Sequence, residues 1–181
     1  MIRVHSRHTP VDKLQKKYPG FAIVDVTSRA DAPWVRFSPF FPHGGIPVPG
    51  QPGRVGASVE GIWQGLKVFE STGVDDAVME NTTMKGLKRS VRRFGPCLGH
   101  RFGEGLLDYR ESRWQIFLPL YRHVLETHLS EPVERLRALV RDGDVVLLDY
   151  MTNGDVDDLS KPLSHAALVA CWVEGRWPVR A

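Results

Sequence analysis

Apolar and polar positions repeat with a helical period through Ser58-Val59-Glu60-Gly61-Ile62-Trp63-Gln64-Gly65-Leu66-Lys67-Val68-Phe69. At about 100° per residue, Glu60, Gln64 and Lys67 fall within roughly 60° of one another. Val59, Ile62, Leu66 and Phe69 form a separate stripe suited to a core. Ser58 suits the N-cap and puts Glu60 in the first turn, where the helix dipole favours a carboxylate. The pattern predicts one amphipathic helix over residues 58–69, with a carboxylate, an amide and an amine on one stripe.

Other segments have simpler periods. Residues 21–27, Phe-Ala-Ile-Val-Asp-Val-Thr, predict a short strand, and Val145-Val146-Leu147-Leu148-Asp149-Tyr150 a second, buried one. Prolines 33, 39, 42, 47, 49 and 52 and five glycines make residues 33–56 an irregular loop. Trp34, Phe37, Phe40 and Phe41 indicate that it is packed. Helices are expected over residues 82–94, stopped by Gly95-Pro96; over 107–128, kinked or divided at Pro119; and over 132–141, ahead of Gly143. Residues 99–103 read as a glycine-bracketed turn, residues 152–155 as a turn, and residues 163–173 as a helical or mixed segment. The sum is a helix-rich α+β single domain with a few short strands, spanning residues 1–181.

Composition narrows the setting. A chain of 181 residues with 42% hydrophobic and 25% charged content suits an ordinary globular protein. A net charge of +3 fits a phosphorylated ligand without demanding nucleic acid. Cys97 and Cys171 match no zinc spacing, and His43, His100 and His165 lack the paired spacing of a metal site, so each is expected to be structural or hydrogen-bonded. No apolar run approaches 18 residues, and the first residues lack the apolar stretch of a signal peptide. A cytoplasmic protein without metal, cofactor or membrane association is expected; its oligomeric state is left open.

The chemistry-bearing residues each carry two readings. Lys67 is a candidate nucleophile, since a partly buried amine can form a Schiff base with the C1 aldehyde of an opened ribose; otherwise it is a solvated lysine paired with Glu60 or Glu70. Glu60 either moves a proton or compensates the helix dipole. Gln64 either orients a hydroxyl or faces solvent. Asp149, ending an apolar strand, is a candidate second carboxylate or a turn former, with Asp155 its rival. Trp63, Phe40 and Phe41 could stack on a base or fill a core. Ser38 bonds a ligand or shapes the turn before Pro39. Within the basic run of residues 85–101, Arg89, Arg93 and Arg101 are candidates to hold phosphate, the alternative being a solvated face.

Three stretches carry a resemblance. Phe37-Ser38-Pro39-Phe40-Phe41-Pro42 is similar to a Ser-Asn-Phe-Tyr-Pro-type loop of the NADAR superfamily. The segment 58–69 resembles that superfamily's Thr-Val-Glu-His-Tyr-Phe-Gln-Ala-Gln-Lys-Phe-type helix. Val146-Leu147-Leu148-Asp149 resembles its apolar strand ending in an acidic residue. The similarity spans roughly residues 36–150, and Asp149 is not followed by the superfamily's Trp-Gly pair. The resemblance implies a NADAR-like fold and an N-glycosidase or ADP-ribosyl hydrolase activity, with Lys67 and Glu60 at the superfamily's active-site positions and Gln64 at its glutamine; Asp149 is the candidate that joins them as second carboxylate. The expected partner is a small nucleotide or an ADP-ribosylated substrate, with nucleic acid entering only as a modified substrate. A non-catalytic ADP-ribose or nucleotide-sugar binding module is the alternative, and a basic nucleic-acid-binding protein the second.

Overall fold

The computed structural model describes residues 1–180 of an α+β protein. Two compact units divide it: Met1–Ser38 together with the chain from Leu129 onward, and Pro39–His128. The first unit opens with β1 (Ile2–Ser6), α1 (Val11–Lys17), β2 (Ala22–Asp25) and a 3-10 turn at Trp34–Phe37. The second contains β3 (Ile46–Pro47), β4 (Val55–Gly56), α2 (Val59–Gly65), β5 (Lys67–Phe69), α3 (Asp76–Met79), α4 (Val91–Phe94), β6 (Cys97–Phe102), β7 (Gly105–Leu107), α5 (Tyr109–Ser112) and α6 (Leu118–Thr127). The chain then completes the first unit with α7 (Ser130–Asp142), β8 (Val145–Asp149) and α8 (His165–Val173).

In the first unit, β8 lies between β1 and β2 and runs parallel to both. A central parallel strand is covered on both faces, which is why Val-Val-Leu-Leu-Asp is an unbroken apolar run with all five residues buried. Alternation divides its side chains. Val146 and Leu148 pack on Leu14 of α1, joined by Tyr18, Phe21 and Ile23. Asp149 projects to the opposite face, where it meets the start of α8. β1 and α1 lie in a stretch where no element was expected, because only Ile2 of the strand and Leu14 of the helix are buried.

In the second unit, α2 is buried along its whole length, Glu60 and Gln64 included. The serine N-cap is as expected: Ser58 Oγ accepts from the Gly61 amide at 2.9 Å. The helix is shorter than its apolar stripe implies. It ends at Gly65, Leu66 is its C-cap, and Lys67 begins β5, which pairs antiparallel with β6. The expected turn at residues 99–103 is therefore mostly strand, and β6 and β7 form a hairpin through Gly103.

The helix expected over residues 82–94 is confined to its last turn, Val91–Phe94. Met84 at φ 60° and Gly86 at φ 70° lie in the left-handed region, which interrupts a right-handed helix. Residues 109–127 are helical as expected. Pro119 coincides with a change of hydrogen-bond register, since Arg113–Phe117 is π-helical and α6 begins at Leu118.

Gly61 and Gly65, one turn apart, set how closely α2 meets α3. A Cβ on Gly61 would stand 2.8 Å from the Val78 carbonyl oxygen, and one on Gly65 would stand 2.8 Å from that of Asp75 while striking the Met79 side chain. Alanine gains up to about 1 kcal/mol of helix propensity over glycine, whereas overpacking against backbone costs about 1–3 kcal/mol. Gly65→Ala is expected to lower stability by about 1–2 kcal/mol, read as a shift of the denaturation midpoint. An unchanged or raised midpoint would show that the α2–α3 contact yields freely.

Candidate functional site

The candidate site grows from the point where α2 stops. Four carbonyls there converge on one side chain: Arg89 donates from Nη1 to the oxygens of Gln64 (3.2 Å), Gly65 (3.4 Å) and Lys67 (2.7 Å), and from Nη2 to Gly73 (2.7 Å). Helix C-termini leave carbonyls without intrahelical partners, and here a buried guanidinium takes them. Asp75 lies 3.8 Å from its Nε, and the Phe69 and Phe94 rings lie near its carbon at 5.1 and 5.3 Å. Arg89 is thus a structural cap whose terminal donors are spent on the main chain, which corrects its assignment to phosphate.

With the helix ended, the polar residues regroup. Gln64 Nε2 donates to Glu60 Oε1 at 2.9 Å, and Gln64 Oε1 accepts the Arg89 amide at 3.1 Å. Lys67, now on β5, stands opposite His100 in the β5–β6 ladder. Its amine is half-buried, and burial lowers its pKa from the ordinary 10.5. Glu60 and Cys97 oppose that shift, while Arg89 and Lys88 add to it. The three residues expected on one helical stripe are therefore neighbours, but across a helix-to-strand junction.

His100 is the residue that sequence reasoning placed least well. It is 2% exposed, and neither ring nitrogen has a hydrogen-bond partner among the described residues. Burial, reinforced by the charge of Lys67, pushes its pKa down to about 3, so the ring is neutral at physiological pH. Its ring centroid lies 3.9 Å from that of Trp63, which also meets Phe117 edge-on at 5.5 Å and Tyr109 at 6.0 Å. Trp63 is thus buried in an aromatic cluster whose Tyr109 edge reaches solvent. The signal in the sequence was the glycine before His100: a Cβ at Gly99 would stand 2.5 Å from the Leu107 carbonyl oxygen, a close strand approach rather than a turn.

The remaining candidates are dispersed. Lys88, exposed, lies 5.9 Å over the half-buried Phe40 ring, and its charge reaches Lys67. Phe41 packs against His43 at 4.8 Å, and His43 against His128 at 5.1 Å. Arg93 is exposed beside Phe94, and Arg101 braces the β6–β7 hairpin by donating to the Glu104 carbonyl at 2.9 Å. Ser38 is buried, and its amide donates to Val35. Asp155 is exposed and accepts the Asp157 amide at 2.9 Å in a tight turn.

Asp149 belongs to the first unit and is occupied there. Its Oδ2 accepts from Ser164 Oγ (2.7 Å), His165 Nδ1 (3.0 Å) and the Ala166 amide (3.2 Å), and its Oδ1 from the Tyr150 amide (2.7 Å). His165 Nε2 bonds the Val26 carbonyl at 2.8 Å. Four donors saturate the carboxylate, so Asp149 ties β8 to the start of α8 and is not a second acid for the Glu60–Lys67 group. Burial alone would raise its pKa, but the charge and hydrogen bond of His165 outweigh it and the net shift is down; the same pairing overcomes burial to raise His165. Among the described residues, no three His, Cys, Asp or Glu side chains gather as a metal site, and no helix is long and apolar enough to cross a membrane.

The model of a family of unknown function, DUF6939, matches residues 6–169. The chain belongs to this family. No curated protein matches it. The DUF6939 match includes the Arg89 cap, the Glu60–Gln64–Lys67–His100 group and the Asp149–His165 pair.

Two experiments test these assignments. Arg89→Lys replaces a planar fork with a point charge that cannot serve four carbonyls, and should cost about 3 kcal/mol in denaturant unfolding; a cost below about 1 kcal/mol would remove Arg89 as the cap. For the buried pair, the lowered Asp149 pKa stabilises fully above its ordinary 3.8 and is lost as pH falls through the folded value. The raised His165 pKa stabilises fully below its ordinary 6.5 and is lost as pH rises through the folded value. A double-mutant cycle with Asp149→Asn and His165→Gln should therefore show its largest coupling between the ordinary values of 3.8 and 6.5 and lose it as pH climbs from 6.5 through the folded His165 value. Coupling that stays flat over that range would refute the ion pair.

Proposed function

We propose that the protein hydrolyses an N-glycosidic bond in a ribosyl-phosphate or ADP-ribosyl compound, using Lys67 and Glu60. The observation that carries this reading is a half-buried amine of lowered pKa, close enough to a buried carboxylate for their charges to interact, with that carboxylate hydrogen-bonded to Gln64. Proton transfer from the Lys67 ammonium to Glu60 yields a neutral amine and a carboxylic acid, the two forms the reaction needs. The amine bonds to C1 of the ribose as the C1–N bond breaks. The leaving base takes the bonding pair and the proton from Glu60. The C1–O4 bond then breaks, one proton of the newly bonded nitrogen passes to O4, and the open-chain sugar is held as an iminium on Lys67. Water adds to it, Glu60 accepts the water's proton, and the amine and free sugar are released.

The resemblance of residues 58–69 to the NADAR helix supports the same choice of residues. Gln64 holds Glu60 in position. Lys88, whose charge reaches Lys67, and the Phe40 ring that it overlies at 5.9 Å suit a phosphate and a base, respectively. Asp149 has no part in this scheme.

The test is mass spectrometry of products after incubation with ADP-ribosylated guanine nucleotides, NAD and ribosylated riboflavin-pathway intermediates, with and without borohydride. Expected are base release and a reduced sugar adduct on Lys67. Lys67→Ala should lower turnover at least about a thousand-fold while leaving the unfolding midpoint in place. Because the reaction needs one proton shared between Lys67 and Glu60, activity should fall as pH rises through a limb below the ordinary lysine value of 10.5. With His100 at about 3, no histidine limb should appear near pH 6.5. Binding without base release would replace hydrolysis by a ligand-binding role; full activity in Lys67→Ala would remove the Schiff base.

A further inference from the structure

The first unit has a cleft of its own, of about 670 Å3, at the carboxyl edge of its parallel sheet. Loops beyond the carboxyl ends of parallel strands are where such sheets gather ligand contacts, and the volume lies within the range of small-molecule sites. Here β1 ends at Ser6, β2 at Asp25 and β8 at Asp149. Arg7 follows β1 directly, and its amide continues the ladder to the Asp149 carbonyl at 2.9 Å. Its side chain then crosses the end of the central strand to the far edge, where Nε donates to Asp25 Oδ2 at 2.8 Å.

That bridge aims Arg7 without using it up. Asp25 is satisfied by Arg7 and by the Thr27 amide at 2.9 Å. The Tyr150 ring lies 5.9 Å from the guanidinium carbon and 5.6 Å from the His8 ring. Both terminal nitrogens of Arg7 lack a hydrogen-bond partner among the described residues, as do the His8 ring and the Gln15 amide, and all three side chains line the cleft. Beneath them Phe21, Ile23 and Leu148 supply an apolar floor, continuous with the cluster around Leu14. A guanidinium whose Nε is pinned by a carboxylate presents two parallel N–H donors, which suit the two oxygens of a carboxylate or phosphate.

We infer that this cleft is a binding site for a small organic anion, its acid group held end-on by Arg7 with His8 and its apolar body on Phe21, Ile23 and Leu148. The site lies within the first unit and is independent of the proposed hydrolysis. Acid group and floor are both required. An aryl carboxylate or aryl phosphate therefore binds, whereas inorganic phosphate, with nothing to place on the floor, binds weakly.

The experiment is calorimetric titration of the intact protein with benzoate, phenyl phosphate and inorganic phosphate. At least one aryl acid should bind saturably, and the preference between the two identifies the acid group. Arg7→Gln should weaken that binding at least ten-fold. Val11→Trp, at an exposed position on the rim, should weaken it similarly by filling the mouth, without touching the Arg7–Asp25 bridge. Circular dichroism confirms that each variant is folded. Three outcomes would overturn the inference: no saturable binding of either aryl acid, inorganic phosphate binding as tightly as phenyl phosphate, or binding that survives both variants. Binding lost in Lys67→Ala and kept in Arg7→Gln would assign the anion to the second unit and likewise reject this cleft.

Discussion

The guanidinium of Arg89 decides what the second unit can do. By taking the carbonyls of Gln64, Gly65 and Lys67, it ends α2 where the apolar stripe alone would have carried the helix onward. A neutral cap leaves most terminal carbonyls to solvent, but this end is buried, and buried carbonyls without donors would each cost about 1–3 kcal/mol. The cation therefore permits a buried helix end, and the strand that follows depends on it. Lys67 then meets His100 across a ladder instead of meeting water on a helical face. The lowered pKa of Lys67 follows from that placement: burial acts on the amine more strongly than the opposing charge of Glu60.

The first unit organises its buried charge differently. Asp149 and His165 neutralise each other, and the Ser164 hydroxyl and two main-chain amides take up the carboxylate's remaining capacity. A saturated pair of this kind fixes the approach of α8 to β8 and leaves no lone pair for a substrate. The same sheet treats Arg7 and Asp25 in the opposite manner: the bridge is half-exposed, and both terminal nitrogens of the guanidinium stay unspent among the described residues. Two acids at the ends of neighbouring parallel strands thus have separate duties, one closing the fold and one orienting a cation toward a cleft.

Much of the architecture was legible wherever local pattern and burial agree. The apolar run 145–149, the strand at 22–25 and the helices within 130–142 and 165–173 form where composition places them, because in each the local period matches the face that packing buries. The helix expected over 82–94 failed because Met84 and Gly86 adopt positive φ and Arg89 is drawn out to serve carbonyls more than 15 residues away in sequence. No window of local propensity contains that demand. The 58–69 helix failed for the complementary reason: its period is correct to Gly65, but the end is set by the same distant arginine. Proximity of Glu60, Gln64 and Lys67 was readable, whereas their burial was not, since an amphipathic pattern assigns polar residues to water.

His100 shows why burial matters more than identity for this chemistry. A histidine near a lysine suggests a proton carrier, yet with its pKa near 3 the ring cannot hold a proton at neutral pH. Its contribution is a neutral, aromatic wall against Trp63 beside the Lys67 amine. A protonated imidazole there would repel the ammonium and leave a charge without a hydrogen bond, so desolvation and Lys67 act in the same direction and keep it neutral. Of the two charged groups beside it, burial opposes the charge of Lys67, and Gln64 steadies Glu60 through a hydrogen bond.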